Sequence, residues 1–76
     1  MKKIIIEYDM FKYLSDGGLE FVDDAELRTS VNEIWFSSNG KLKDFVIDGL
    51  ILPLIESFTT LFGADDFKIK NIKIED

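Results

Sequence analysis

The sequence predicts an α+β fold in which a mainly antiparallel sheet of four to five strands packs on one amphipathic helix over residues 50–62. Three observations support this class: β-branched segments near both ends of the chain, two glycine-containing turns, and one long apolar segment with helical periodicity. With 76 residues, the chain is expected to form a single domain, residues 1–76. A domain of this size buries only about 60% of its unfolded surface, so its core is small.

The first strand and its turn are predicted from local composition. Residues 2–8 contain three consecutive isoleucines and alternate at period two, as a strand does. Asp16-Gly17 lies in a Ser-Asp-Gly-Gly turn that is typical of a type I′ hairpin loop. We therefore expect a hairpin with residues 19–22 as its return strand, although a single helical turn after Asp9 also fits residues 10–14.

Residues 23–35 fit two structures. A helical stripe with spacing i, i+4, i+7 and i+8 connects Leu27, Val31, Ile34 and Trp35. Against a helix, the residues between them are mediocre helix formers, and Asn39-Gly40 is a strong hairpin signal. The favoured prediction is a second hairpin that pairs residues 31–37 with residues 41–47.

The helix over residues 50–62 is predicted from an apolar stripe. Its members are Ile51, Leu54, Ile55, Phe58 and Phe62. Pro53 is expected in the first turn or just beyond it, where a missing N–H costs little, and Gly63 is expected to end the helix.

The last strand, residues 67–74, changes its apolar phase. Phe67 and Ile69 share one phase, whereas Ile72 and Ile74 share the other. One extra residue near Lys70, a β-bulge, would place all four side chains on one face.

Catalytic and metal chemistry is mostly excluded by composition. The chain has no histidine and no cysteine, which removes the common nucleophilic triads and nearly all zinc and haem sites. The paired acids Asp23-Asp24 and Asp65-Asp66 lack the alternating ligand pattern of a calcium loop, and neighbours on a strand point to opposite faces. The sequence therefore predicts no enzyme, no catalytic residue, no metal and no cofactor.

The acidic residues cluster in the first half of the chain. The net charge is −6, and residues 16–33 hold six acids against one base. These acids, together with an aromatic anchor, form the predicted partner-binding set: Asp16, Glu20, Asp23, Asp24, Glu26, Glu33 and Trp35. The alternatives are a solvated acidic face that keeps the domain soluble, and a tryptophan buried in the core.

Charge and hydropathy also limit the kinds of partner and the location that the sequence predicts. A local negative field favours a basic protein surface and disfavours direct binding of DNA, RNA or anionic membranes. Glu7 and Asp9 interrupt the first apolar run, and Asp48 and Glu56 interrupt the apolar window of residues 45–62. We therefore expect no signal peptide and no membrane span, and a cytoplasmic location.

Part of the chain resembles the small acidic phage-encoded inhibitors of the anti-CRISPR kind. The resemblance covers VNEIWFSSNGKLKDFVID at residues 31–48 and LIESFTTLFG at residues 54–63, about half of the chain. Some type II-A anti-CRISPR proteins are similar in size and charge, with a hairpin turning at an Asn/Asp-Gly element before one amphipathic helix. That resemblance implies a nucleic-acid mimic whose carboxylates occupy a basic site of a nuclease. The lysine-rich last strand departs from this pattern.

Three functions remain as hypotheses. The first is an inhibitor that occupies a basic nucleic-acid-binding surface of a target enzyme. The second is an oligomerising structural or accessory module, such as a homodimer, held by apolar surface around Trp35 and the sheet face. The third is an antitoxin or immunity-type binder of a basic protein, which shares the electrostatics of the first without its nucleic-acid logic.

Overall fold

A computed structural model describes residues 1–75 of the chain, which form a sheet and one long helix. The strands are β1 (Lys2–Tyr13), β2 (Leu19–Val31) and β3 (Asp66–Glu75), and the helix α1 is Asp44–Phe62. The sheet order is β2-β1-β3, and both outer strands run antiparallel to β1. The predicted α+β class, an antiparallel sheet on one helix, is confirmed.

The predicted number of four to five strands is wrong, because the described residues 1–75 form a sheet of three. The second hairpin does not form. After β2, Glu33–Trp35 is a short 3-10 helix, and the Asn32 side chain accepts a hydrogen bond from the Ile34 N–H at 3.1 Å. The Asn39-Gly40 turn is present, with φ of 81° at Gly40, but it connects a single bridge between Phe36 and Leu42. A longer ladder has no room, since α1 begins two residues later.

The first hairpin is confirmed and is longer than predicted. β1 continues as a strand to Tyr13, so the helical-turn alternative is wrong. The loop closes through the Leu14 N–H, which donates to the Gly18 carbonyl at 2.9 Å. Within residues 1–75 only glycines have positive φ, and Gly17 (87°) is the one in this loop, whereas a type I′ turn needs two such residues. The type I′ expectation is therefore wrong.

The predicted β-bulge in the last strand is confirmed. Glu7 pairs with Asn71 and Tyr8 pairs with Ile69, so Lys70 is the extra residue. This insertion restores the phase and places four apolar side chains of β3 on the face that α1 covers: Phe67, Ile69, Ile72 and Ile74.

The helix begins at Asp44 rather than at residue 50, and it contains a π-helical segment, Ile47–Ile51. Pro53 lies in the first turn of the regular α-helical segment, Leu52–Phe62, as predicted, but the π segment before it continues the helix towards Asp44. The Leu52 N–H donates to the Ile47 carbonyl, five residues earlier, which is the hydrogen bond of a π turn. Gly63 ends the helix with φ of 97°, as predicted.

The core lies between α1 and one face of the sheet. Its most buried side chains are Ile4 and Ile6 of β1 and Ile51 and Ile55 of α1. The remaining predicted helix stripe is only partly confirmed. Leu54 is half-buried and packs against the core, but Phe58 and Phe62 are 42% and 54% exposed, and burial of those two was predicted wrongly.

Thr59 is the residue of the last helical turns that is buried instead. Its hydroxyl donates to the Ile55 carbonyl at 2.7 Å, so the buried oxygen has a partner. Val46 and Ile51 are five residues apart, and they share one buried face because the π segment adds one residue to the turn between them. This face continues through Ile55 and Thr59.

α1 has 19 residues and a mean hydropathy of 1.7, so by length and composition it is apolar enough to cross a bilayer. The helices of soluble cores meet the same criterion. Here the helix lies on the sheet with Val46, Ile51 and Ile55 buried, and it carries Asp48 and Glu56. Packing on the sheet accounts for the buried part of its apolar surface.

Candidate partner-binding surface

The predicted acids of β2 lie on both faces of the sheet. Asp24 and Glu26 pair with Asp9 and Glu7, on the face away from α1, which we call the open face. Glu20 and Asp23, by contrast, lie opposite Lys12 and Met10, on the side of α1. Period-two alternation separates Asp23 from Asp24 and Glu26, and the register shift that leaves Val22 as an extra residue brings Glu20 to the same side as Asp23.

The other two predicted acids lie beyond opposite ends of β2. Asp16 is in the hairpin loop, where its carboxylate accepts a hydrogen bond from the Gly18 N–H at 2.9 Å. Glu33 lies in the 3-10 helix, 4.0 Å from the N-terminal ammonium group. The six acids, predicted as one partner-binding set, therefore do not form one continuous anionic surface: they are divided between two faces of β2 and the two ends of this 13-residue strand.

Trp35 is half-buried and packs against the core. The core alternative is therefore closer to the structure than an exposed anchor. Its neighbour Ile34 is 69% exposed. A strand would place Trp35 on the face opposite both Ile34 and Phe36, whereas the 3-10 turn, with about three residues per turn, lets Trp35 and Phe36 both pack against the core.

The acids of the open face are largely neutralised. Lys70 of β3 contacts the Asp9 carboxylate at 3.1 Å, and Lys73 contacts Glu7 at 3.2 Å. The hydrogen bond from Lys73, with a second from Asn71, lowers the pKa of Glu7. The hydrogen bond to Asp9 raises the pKa of Lys70 above its ordinary value.

The net charge is concentrated at one end of the molecule. We define the hairpin end as residues 10–23 and 56–67, which the pairing of Met10 with both Asp23 and Phe67 brings to the same half of the sheet. It holds one base, Lys12, and six acids, a net −5; the rest of the chain holds nine acids and eight bases, a net −1. The six acids are Asp16, Glu20, Asp23, Glu56, Asp65 and Asp66.

The end of α1 is fixed to the hairpin by backbone hydrogen bonds. The Asp65 N–H donates to the Phe11 carbonyl at 2.8 Å, and the Asp65 carboxylate accepts from the Tyr13 N–H at 3.0 Å. Tyr13, Asp65 and Glu56 line one surface depression. The partial negative charge of the helix C-terminus adds to the same field.

Exposed apolar side chains also collect at the hairpin end. Of twelve large hydrophobic residues that are exposed in residues 1–75, seven lie here: Tyr13, Leu14, Leu19, Phe21, Phe58, Leu61 and Phe62. On the open face, Phe21 packs edge-on against Phe11, with ring centroids 6.1 Å apart. The Lys68 ammonium group lies 5.8 Å from the Phe11 centroid, a cation–π contact within the chain.

The hairpin end therefore combines a negative field with aromatic and aliphatic side chains. Such a surface suits a partner that is both basic and apolar. Sequence reasoning included Asp16, Glu20 and Asp23 but missed the contribution of the second segment, residues 56–67. Its acids are distant in sequence, and the helical periodicity assigned Phe58 and Phe62 to the core. The available signal was Leu61-Phe62 beside Gly63, apolar residues at a helix end.

Within residues 1–75, no group of three or more acidic side chains is arranged to hold a metal ion. Comparison of the chain with protein-family models, with curated protein sequences and with solved structures finds no match. Functional inference therefore depends on the geometry of the hairpin end.

Proposed function

We propose that the protein is a small binding module that attaches its hairpin end to a basic protein surface and, in doing so, inhibits an enzyme that binds nucleic acid there. The observation that carries the proposal is the segregation of charge: five of the six net negative charges lie at the hairpin end, beside seven exposed apolar side chains. Segregated charge of one sign opposes folding, so its presence favours a use in binding.

The inhibition acts through competition for a positive site. A groove that binds a phosphate backbone is lined with Lys and Arg, and a domain with a local negative field enters it with electrostatic assistance. On the open face, only Asp24 and Glu26 have the same-face spacing of about 6.6 Å that is comparable to successive phosphates. Glu26 also accepts from Arg28 at 3.0 Å. The protein therefore mimics nucleic acid through the negative field of the hairpin end more than through a row of regularly spaced carboxylates.

The proposal extends the resemblance to anti-CRISPR proteins. Under this proposal the partner is a nuclease-type enzyme of the host, and the protein is a phage inhibitor of that enzyme with no catalytic residue of its own. In the basic strand β3, Lys70 and Lys73 pair with acids of β1, whereas Lys68 lies over the Phe11 ring at the hairpin end. One of the three lysines therefore reduces the negative field of the hairpin end, and the other two lie outside it.

The first test is affinity capture of the partner, followed by a charge-neutral variant of the hairpin end. Glu20→Gln, Asp23→Asn and Glu56→Gln together remove three charges without changing side-chain size. We expect binding at 50 mM salt to weaken by at least about tenfold, and wild-type affinity to fall with added salt. The matched control is Glu33→Gln, Asp48→Asn and Glu75→Gln, which removes the same charge elsewhere.

The expected control result is unchanged binding. Equal affinity for the wild-type and hairpin-end variants would contradict the proposal. A competition experiment tests whether the protein occupies the nucleic-acid-binding site of its partner. If it does, added DNA or RNA should displace the protein. If nucleic acid and the protein bind together, the antitoxin or immunity-type function is favoured instead.

A second candidate function, self-association, is favoured by the exposed apolar side chains of the hairpin end. It predicts a salt-insensitive dimer or larger assembly. Sedimentation at neutral pH separates the two functions, since a monomer at high protein concentration contradicts self-association. Substitution of Leu61, which is 82% exposed, by Ser should dissociate such an assembly.

A further inference from the structure

The outer edge of β2 is a second feature that fits a protein partner. β2 is hydrogen-bonded to β1 on one side, and no strand of residues 1–75 lies on its other side. From Asp23 to Val31 its register with β1 is continuous, which gives nine residues of regular edge. Alternate residues of such an edge direct their N–H and C=O groups outward, where another extended segment can pair with them.

The helix is displaced from this edge. The backbone of its last eleven residues approaches β3 more closely than β2. Glu56, Thr59 and Thr60 line a depression with the start of β3, so that flank of α1 faces β3. At about 100° per residue, Leu54 and Phe58 lie on the opposite flank, on the β2 side, whereas Leu61 lines a depression with Glu56 and Thr60 on the outer side of the helix.

The two faces of the β2 edge differ in chemistry. On the open face it presents Asp24 and Glu26, both exposed, and then Arg28, whose side chain lies 3.0 Å from the Glu26 carboxylate. On the helix side it presents the half-buried Ala25, next to Leu27, which is buried in the core. A segment added to this edge would meet two carboxylates, one of them shared with Arg28, on one face and the margin of the apolar core on the other.

We propose that the β2 edge over residues 23–31 accepts an extended segment of the partner protein, in which basic and apolar side chains alternate. This inference rests on the proposed function and deepens it, because it names the kind of partner segment that binds. Its Lys or Arg side chains lie beside Asp24 and Glu26. Its apolar side chains extend the core towards Phe58. Backbone hydrogen bonds to β2 supply affinity, and the period-two match of the two faces supplies specificity.

The occupant follows from charge and from backbone geometry. A carboxylate pair on one face favours cations, and the half-covered apolar strip on the other face excludes a segment that is basic throughout. β3 of a second copy is also a basic extended segment, but two of its three lysines, Lys70 and Lys73, already pair with Asp9 and Glu7. Those two lysines are therefore less available to the β2 edge than the cations of a partner segment.

The test uses a nine-residue peptide of alternating Lys and Val, with blocked termini, as the probe. We expect it to bind the protein and to increase the amide-exchange protection of alternate β2 residues between 23 and 31 by at least about tenfold. A peptide with the same composition in block order is the matched control and should bind much more weakly.

N-methylation identifies strand addition. In an extended peptide, all Lys N–H groups point to one edge and all Val N–H groups point to the other. Methylating the three central Lys nitrogens or the three central Val nitrogens should abolish binding in one case and preserve it in the other. If both methylated peptides bind equally well, or if both lose binding equally, the proposal is overturned.

Protein variants locate the site. Asp24→Asn with Glu26→Gln should weaken peptide binding by about tenfold, whereas Glu33→Gln with Asp48→Asn should not change it. If β2 protection grows with protein concentration in the absence of peptide, the occupant is a second copy and the proposal is wrong.

The outcomes also separate this inference from the proposed function. A captured partner that responds to hairpin-end charge while the peptide fails to bind leaves the proposed function standing and removes the strand addition. Peptide binding by the edge, with a captured partner insensitive to hairpin-end charge, removes the proposed function alone.

Discussion

Two glycines, one inside α1 and one directly after its last residue, differ in the backbone conformation that they adopt. Gly63 has φ of 97°, and its N–H donates to the Thr60 carbonyl at 3.1 Å, which closes the helix. Gly49 lies inside the helix, and a Cβ placed there would meet nothing within 4 Å. Substitution by alanine should therefore have opposite effects on the free energy of unfolding at these two positions.

We expect Gly63→Ala to lower the free energy of unfolding by about 1–2 kcal/mol, because a Cβ is strained in the left-handed region. Gly49→Ala should raise it by about 0.5–1 kcal/mol, because alanine is the better helix former. Urea denaturation of the two variants and the wild type measures both effects. A loss of stability in both variants would contradict the helical backbone at Gly49.

Glu7 gives the stability of the sheet a dependence on pH. Lys73, and then Asn71, lowers its folded-state pKa below the ordinary value of 4.5. Its stabilising contribution is therefore present above the unfolded-state pKa and is lost as the pH falls through the folded-state pKa. Glu7→Gln should reduce the loss of stability below about pH 4.5. Unfolding free energies between pH 2 and 7 test this, with Glu20→Gln as the control for one lost carboxylate.

At the scale of elements, β3 depends on one inserted residue. Lys70 is the bulge that brings Phe67 and Ile69 into phase with Ile72. The sequence revealed it because four apolar residues with a phase change cannot otherwise share a face. The length and start of α1 were less accessible, since Gly49 is a poor interior helix residue and Pro53 favours a first turn, so local propensity started the helix at residue 50.

Deletion of Lys70 should unfold the protein or destabilise it by more than about 3 kcal/mol, because a one-residue shift turns Phe67 and Ile69 to the open face. Lys70→Ala keeps the bulge and removes the ion pair with Asp9, so its effect should be small. Circular dichroism and urea denaturation compare the two. A folded deletion variant of near wild-type stability would show that the bulge is not needed for the register.

At the scale of the whole molecule, charge and apolar surface coincide at the hairpin end. The acids there repel those of a second copy at neutral pH, and this repulsion disappears near the isoelectric point of about 4.5. We therefore expect association to increase as the pH falls from 7 towards 4.5. Sedimentation velocity at the two pH values measures it.

Variants decide whether the hairpin end is responsible. Phe21→Ser with Leu61→Ser should keep the protein monomeric at pH 4.5, whereas Ile34→Ser, at an exposed position outside the hairpin end, should not. Association that continues in the double variant and stops in Ile34→Ser would place the contact at the other end of the molecule.

The sequence by itself determined the α+β class, the first hairpin, the bulge in the last strand and the Gly63 helix end. Each of these follows from local chemistry: β-branched runs, glycines with positive φ, and the period of apolar residues. Only the tertiary structure decided where residues 31–47 go, which helix residues are exposed, and how the acids are distributed. Those outcomes depend on which residues from distant segments meet. Pairing β1 with both outer strands neutralises the acids of β1 through the lysines of β3, and it brings Glu56, Asp65 and Asp66 beside the hairpin.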